Sequence, residues 1–159
     1  MNDQAATGET AAGQSAVDAA PAFPAGLSAR VELTVTDADT AQAVGSGDVP
    51  VLGTPRLLAL AEAATVAATA TRMAAGMTTV GVRVELEHRA ATPVGRTVVA
   101  LAQLAKVDGR RLLFEVSVTE GAKVVAEGRI ERALVDRSRF VARAFDDPPT
   151  VPPQPPGES

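Results

Sequence analysis

The sequence predicts an α+β domain in which one long central helix is wrapped by a curved antiparallel sheet. Three observations predict it: an apolar run with a helix start signal from Gly53 to Ala70, an alternating strand pattern before it, and four more strand-like segments after it, joined by short turns. A helix apolar on nearly every side must be enclosed by other structure, and strands apolar on one side need an apolar surface to face. Each requirement answers the other.

The ends differ from the middle. Residues 1–25 are Ala, Thr, Gly, Gln, Asp and Pro with few large apolar side chains, and residues 146–159 hold six of the eleven prolines. Neither segment can bury a core, so both are expected to be disordered or extended, leaving one domain of about 120 residues over 26–145. Aromatics make up 3% of the chain, without Trp or Tyr, so Val, Leu and Ala must build the core.

In chain order, Leu27 to Thr36 alternates with Ala29, Val31, Leu33 and Val35 on one face and is the first strand. Asp37 to Pro50 is a polar, glycine-containing loop that runs into the helix start; it is either a connector or the cover of a pocket. Thr54 suits the N-cap, Pro55 the first helical position, and Gly76 the stop, giving about 20 residues and a rod of roughly 30 Å. Glu62 interrupts the apolar stripe, four residues after Leu58 and three before Thr65. A carboxylate there costs free energy unless it is paired, hydrated or employed.

After the helix, Val80 to Arg89 alternates strictly, with Val80, Val82, Val84, Leu86 and the single histidine, His88, on one face. Thr92-Pro93-Val94-Gly95 breaks the run. Thr97 to Val107 is the third strand, and Asp108-Gly109 turns the chain into a fourth, Arg111 to Thr119, with Leu112, Phe114, Val116 and Val118 aligned. Glu120-Gly121 leads to the fifth, Lys123 to Val135. Short turns throughout imply an antiparallel meander. Its edges are expected to pair with a second copy, giving a homodimer.

Composition also excludes. Without cysteine there is no disulfide, thiol nucleophile or Cys-ligated metal, which fits a cytoplasmic protein. One histidine per chain cannot build a multi-histidine metal site. The first 25 residues lack a secretory signal pattern, and Glu62, Arg56 and Arg72 break up the helix run as a membrane span. A formal charge of -4 offers no basic footprint for nucleic acid.

Residues from Val51-Leu52-Gly53-Thr54 through Glu62, Gly81, His88-Arg89-Ala90-Ala91-Thr92-Pro93, Asp108-Gly109-Arg110-Arg111-Leu112 and Glu131-Arg132-Ala133 resemble the fluoroacetyl-CoA thioesterase family of hot-dog-fold proteins. The match is ungapped from Thr54 to Arg132. The resemblance implies a hot-dog homodimer that hydrolyses an acyl-CoA thioester near the subunit interface, with no cofactor beyond the CoA of its substrate. It implies catalytic roles for Thr54, Glu62 and His88, and an acyl pocket lined by Gly81 and Arg132. The chain departs from the family pattern in the loop before the helix, Ala43-Val44-Gly45-Ser46-Gly47-Asp48-Val49-Pro50, which has no phenylalanine to serve as an apolar lid. A different or broader acyl group is expected.

The residue chemistry stands beside that resemblance. Thioester hydrolysis needs a nucleophile or activated water, a group to steady the oxyanion, and proton management for the thiolate. Glu62 suits a base or nucleophile, and His88 an acid or orienting partner. Thr54 has two competing jobs, capping the helix or meeting the substrate carbonyl. Each residue also has a structural explanation: a buried hydrogen-bonded histidine, a Glu62–Arg132 ion pair, close packing at Gly81, a solvated Arg132. The rival functions are a non-catalytic acyl-CoA-binding module and an enoyl thioester hydratase on the same fold.

Overall fold

The computed structural model describes residues 23–150. Five strands form one antiparallel sheet: β1 (Ser28–Thr34), β2 (Met77–His88), β3 (Thr97–Asp108), β4 (Arg111–Glu120) and β5 (Lys123–Asp136). Between β1 and β2 come a 3-10 turn (Asp37–Asp39), a short helix α1 (Ala41–Val44) and the long helix α2 (Thr54–Thr69), while α3 (Arg137–Asp146) follows β5. The α+β class and the single long helix against an antiparallel sheet are as the sequence predicts.

The strand order is β1-β3-β4-β5-β2. That corrects the four-strand meander: β3, β4 and β5 are joined by tight turns, but β2 pairs with β5 along its whole length and lies on the far edge. The cause is the segment between β2 and β3, which is too long and proline-broken for a hairpin. It is fastened instead to three places, by Arg89 N–H to Val125 O, Leu52 N–H to Thr92 O and Gly95 N–H to Val35 O. The connection therefore passes the N-terminus of α2 on its way from one edge to the other.

Helix α2 lies mainly over β1 and β3. Leu57, Leu60, Ala61, Ala64, Thr65, Ala68 and Thr69 recur at helical spacing and are buried against Phe114, Leu104, Val98 and Leu112. Burying a leucine such as Leu57 or Leu60 contributes about 1.5–3 kcal/mol. Phe23, three residues before the expected domain start, is also in this core. The remaining residues expected to be disordered, 1–22 and 151–159, lie outside the described residues.

Two features of α2 differ from expectation. It ends at Thr69, followed by a 3-10 turn (Ala70–Arg72), because the Thr69 hydroxyl and the tightening last turn take over its carbonyls before Gly76 is reached. It is also not enclosed: Ala59, Ala63, Val66, Ala67 and Ala70 form an exposed apolar strip. One sheet covers one side of a helix, and the described residues form a single sheet. No helix of the described residues is long and apolar enough to cross a membrane.

Candidate active site

The sequence-predicted residues fall into two groups along α2. The first sits at its N-terminus. Gly53, not Thr54, is the N-cap residue, with φ -75 and ψ 143, and Pro55 follows in the first turn. The N-cap expectation for Thr54 is thus corrected by one position: glycine takes the extended conformation there, which moves the threonine onto the first turn. The Thr54 hydroxyl is thereby released from capping and lies 2.8 Å from His88 Nδ1. Which of the two donates depends on the imidazole tautomer. The other ring nitrogen, His88 Nε2, is shielded from solvent and has no hydrogen-bond partner among the described residues. A buried unpaired polar group costs about 1–3 kcal/mol.

The loop from Asp37 to Pro50 is ordered by specific bonds rather than being a loose connector. Asp39 Oδ2 accepts from the Thr36 N–H and hydroxyl at 2.7 and 2.9 Å, and its Oδ1 accepts from Arg56 Nε at 2.9 Å. Burial works against the Asp39 carboxylate, but these donors and the Arg56 charge outweigh it and hold its pKa below the usual value. Gly53 N–H donates to Asp39 O, and Gln42 Nε2 to Asp48 O. The result is a cleft of about 320 Å³ bounded by Ser46, Asp48, Val49, Thr54, His88 and Ala91. The N–H groups of Thr54 and Arg56 precede the first intrahelical bond, Leu57 N–H to Gly53 O, so the positive end of α2 faces this cleft.

The second group sits two turns further on. Glu62 Oε2 accepts from Arg132 Nη1 at 2.8 Å. Arg132 is buried at 6% exposure, not solvated, while the Glu62 side chain is 35% exposed. Thr79, which sequence reasoning did not single out, takes the rest of the guanidinium: Arg132 Nε donates to its hydroxyl and Nη2 to its carbonyl, each at 2.9 Å. Gly81 faces the same carboxylate, since a Cβ there would lie 2.8 Å from Glu62 Oε2. A glycine leaves that space open to the acid.

Sequence alternation misplaced part of this face. The β2–β5 register shifts between Gly81 and Arg83, so β2 carries one extra residue at that point. Thr79, Gly81, Val84, Leu86 and His88 stand opposite Leu134, Arg132, Ile130, Gly128 and Ala126. Val80 and Val82 are consequently on the other side, a correction to the strict alternation expected. A bulge leaves no signature in an apolar–polar pattern except an apparent change of phase.

Glu62 and His88 make no hydrogen bond with each other. Eight residues of α2 separate Thr54 from Glu62, a rise of roughly 12 Å, so the hydroxyl–imidazole pair and the carboxylate–guanidinium pair are two separate groups within the chain. A larger cleft of about 540 Å³ lies elsewhere, along the charged side of β2, β4 and β5 near Glu85, Glu87, Glu115 and Arg129, and holds none of the five residues. No group of three or more metal-ligating side chains occurs among the described residues.

The profile of the fluoroacetyl-CoA-specific thioesterase family matches residues 35–138. A fluoroacetyl-CoA thioesterase from Streptantibioticus cattleyicolor is 35% identical over 99 residues, covering 62% of this chain and 71% of that protein. Among solved structures, a fluoroacetyl-CoA thioesterase superposes with a TM-score of 0.76 at 28% identity, covering 80% of this chain and 99% of the other. A thioesterase superfamily member from Thermus thermophilus gives 0.71 at 26% identity, over 77% and 90% of the two chains. A hot-dog-like protein from Thermanaerovibrio acidaminovorans gives 0.71 at 23% identity, over 78% and 92%, which speaks to the fold.

Proposed function

The chain belongs to the fluoroacetyl-CoA-specific thioesterase family, and from that premise we propose how its residues perform the work. It is a hot-dog-fold acyl-CoA thioesterase that hydrolyses an acyl-CoA thioester to the free acid and CoA. The observation that carries the site assignment is the pair of half-sites on α2: Thr54 with His88, and Glu62 with Arg132 beside Gly81.

A homodimer joins the halves. β2 is an open edge whose middle, Gly81 to Glu85, is exposed, with Val82 and Val84 at 44% and 38%. Antiparallel pairing of β2 with its copy, centred on Val84, sets the partner's His88 opposite Val80, one residue from Gly81. The bare strip of α2 is then covered as well. One cavity then holds Glu62, Arg132 and Gly81 of one protomer with the imidazole and threonine of its partner.

In that cavity Glu62 serves as base or nucleophile, with its charge supported by Arg132. The Gly81 N–H and Thr54 hydroxyl steady the thioester oxygen as it gains charge, and His88 delivers the proton to the leaving thiolate. No cofactor beyond the CoA of the substrate takes part. The cleft at the start of α2 is bounded by Gly47 and Asp48 with no aromatic lid, which supports an acyl group different from or broader than fluoroacetyl.

Thiol release from short, medium and aromatic acyl-CoAs tests this. Glu62→Gln retains an acceptor for Arg132, and His88→Ala removes the imidazole; each is expected to lower kcat by about 100-fold or more, the scale of a lost acid–base group. Turnover equal to wild type in both variants eliminates the assignment.

A further inference from the structure

We propose that Thr79 is a positioning residue for this site, holding the Arg132 guanidinium so that its remaining nitrogen is aimed at Glu62. The inference rests on the assignment of Glu62 above and extends it to a residue that touches no substrate.

The geometry is specific. Arginine offers a planar fork on a flexible stem, and a single ion pair leaves the fork free to swing. Here one residue grips two of its nitrogens from behind: Nε bonds to the Thr79 hydroxyl and Nη2 to the Thr79 carbonyl, each at 2.9 Å. Only Nη1 is left for Glu62, at 2.8 Å. Thr79 and Arg132 are 9% and 6% exposed, so water cannot readily replace the lost partner. Among the described residues, only the Oε2 oxygen of Glu62 is engaged, and the carboxylate remains open on its reactive side.

The backbone is arranged to make this contact. Counting alternately back from His88 places Thr79 on the opposite face of β2. The extra residue at the Gly81 to Arg83 irregularity brings it into line, opposite Leu134 and next to the Gly81 and Arg132 pair. The irregularity thus delivers three things to one spot: a hydroxyl, a glycine and the guanidinium between them. A threonine kept only for strand propensity would have no need of that register.

The test is the steady-state kinetics of thiol release from the acyl-CoA that the wild-type protein turns over fastest. Thr79→Val preserves the branched shape and the carbonyl that holds Nη2 but removes the hydroxyl that accepts from Nε, while Thr79→Ser preserves the hydroxyl. In Thr79→Val, kcat is expected to fall about tenfold or more with KM within about threefold, the pattern of an interaction expressed in the transition state. Thr79→Ser restores kcat, because its hydroxyl again accepts from Arg132 Nε.

A folded Thr79→Val with wild-type kcat overturns the proposal, as does a serine variant impaired to the same degree as valine. Should the valine variant not fold, Arg132→Lys replaces it, since lysine retains the charge and loses the grip of Thr79. The same drop in kcat with KM within about threefold is expected there, and wild-type behaviour overturns the proposal. Glu62→Gln separates the two levels: if it turns over normally, the site assignment itself is wrong; if it is inactive while Thr79→Val is normal, only the role of Thr79 falls.

Discussion

Gly81 and Asp39 show how single residues set the site, one beside the middle of α2 and the other at its first turn. An added Cβ at Gly81 would meet the end of the Glu62 side chain at 2.8 Å, a flexible group that can move aside. Gly81→Ala is therefore expected to fold, with Glu62 displaced from its place beside Arg132 and kcat reduced by about tenfold or more, equivalent to roughly 1.4 kcal/mol. A melting curve near wild type together with the loss of thiol release checks it; undiminished turnover contradicts it. Asp39 acts on stability instead. Its folded pKa lies below the ordinary value of 3.8, so its contribution is present in full above that value and is lost as pH falls through the lower folded value. Asp39→Asn should flatten the acid side of the stability-against-pH curve and loosen the loop bounding the cleft. Chemical denaturation at a series of acidic pH values reads the slope directly.

At the scale of elements, the joint between α1 and α2 positions Thr54. Gly53 is packed so closely that a Cβ would lie 2.9 Å from Val44 Cγ2 and 3.1 Å from both the backbone nitrogen and Cα of Ala41. Unlike the contact at Gly81, this one involves main chain, so α1 must shift as a body. Gly53→Ala should cost about 1–3 kcal/mol of stability, the range for overpacking, and raise KM by moving the wall of the cleft. Thermal unfolding and steady-state kinetics on the same preparation test both parts. The strands are the legible elements: the alternation predicts Thr97 to Val107 where Thr97–Asp108 is observed, and the last two strands agree within a residue at each end. Their buried positions recur largely at every second residue, as in Leu112, Phe114, Val116 and Val118. Helix α3 was not foreseen, since its Asp136 cap, whose Oδ1 accepts the Arg139 N–H at 2.9 Å, follows a strand without any intervening turn signal.

At the scale of the molecule, the described residues leave the β2 edge open and one side of α2 bare, and the proposed homodimer would cover both. Placing a charge in the middle of that edge is the direct challenge. Val84→Lys is expected to yield a folded monomer by sedimentation with thiol release lost, because Glu62 and the partner's His88 no longer share a cavity. A monomer that retains full turnover would show each chain to hold a complete site.

What the residues alone determined was the content of the layers: which strands exist, that one long helix packs on them, and that Glu62 and His88 stand on surfaces otherwise apolar. Those follow from periodicity, a local property that every few residues repeat. Three matters were decided only in three dimensions. The pairing of β2 with β5 depends on where a proline-broken connection is fastened, the release of the Thr54 hydroxyl depends on Gly53 taking the cap, and the company of Gly81 and Thr79 depends on one extra residue in a ladder. Each is a choice between local arrangements of similar energy, settled by contacts distant in the chain.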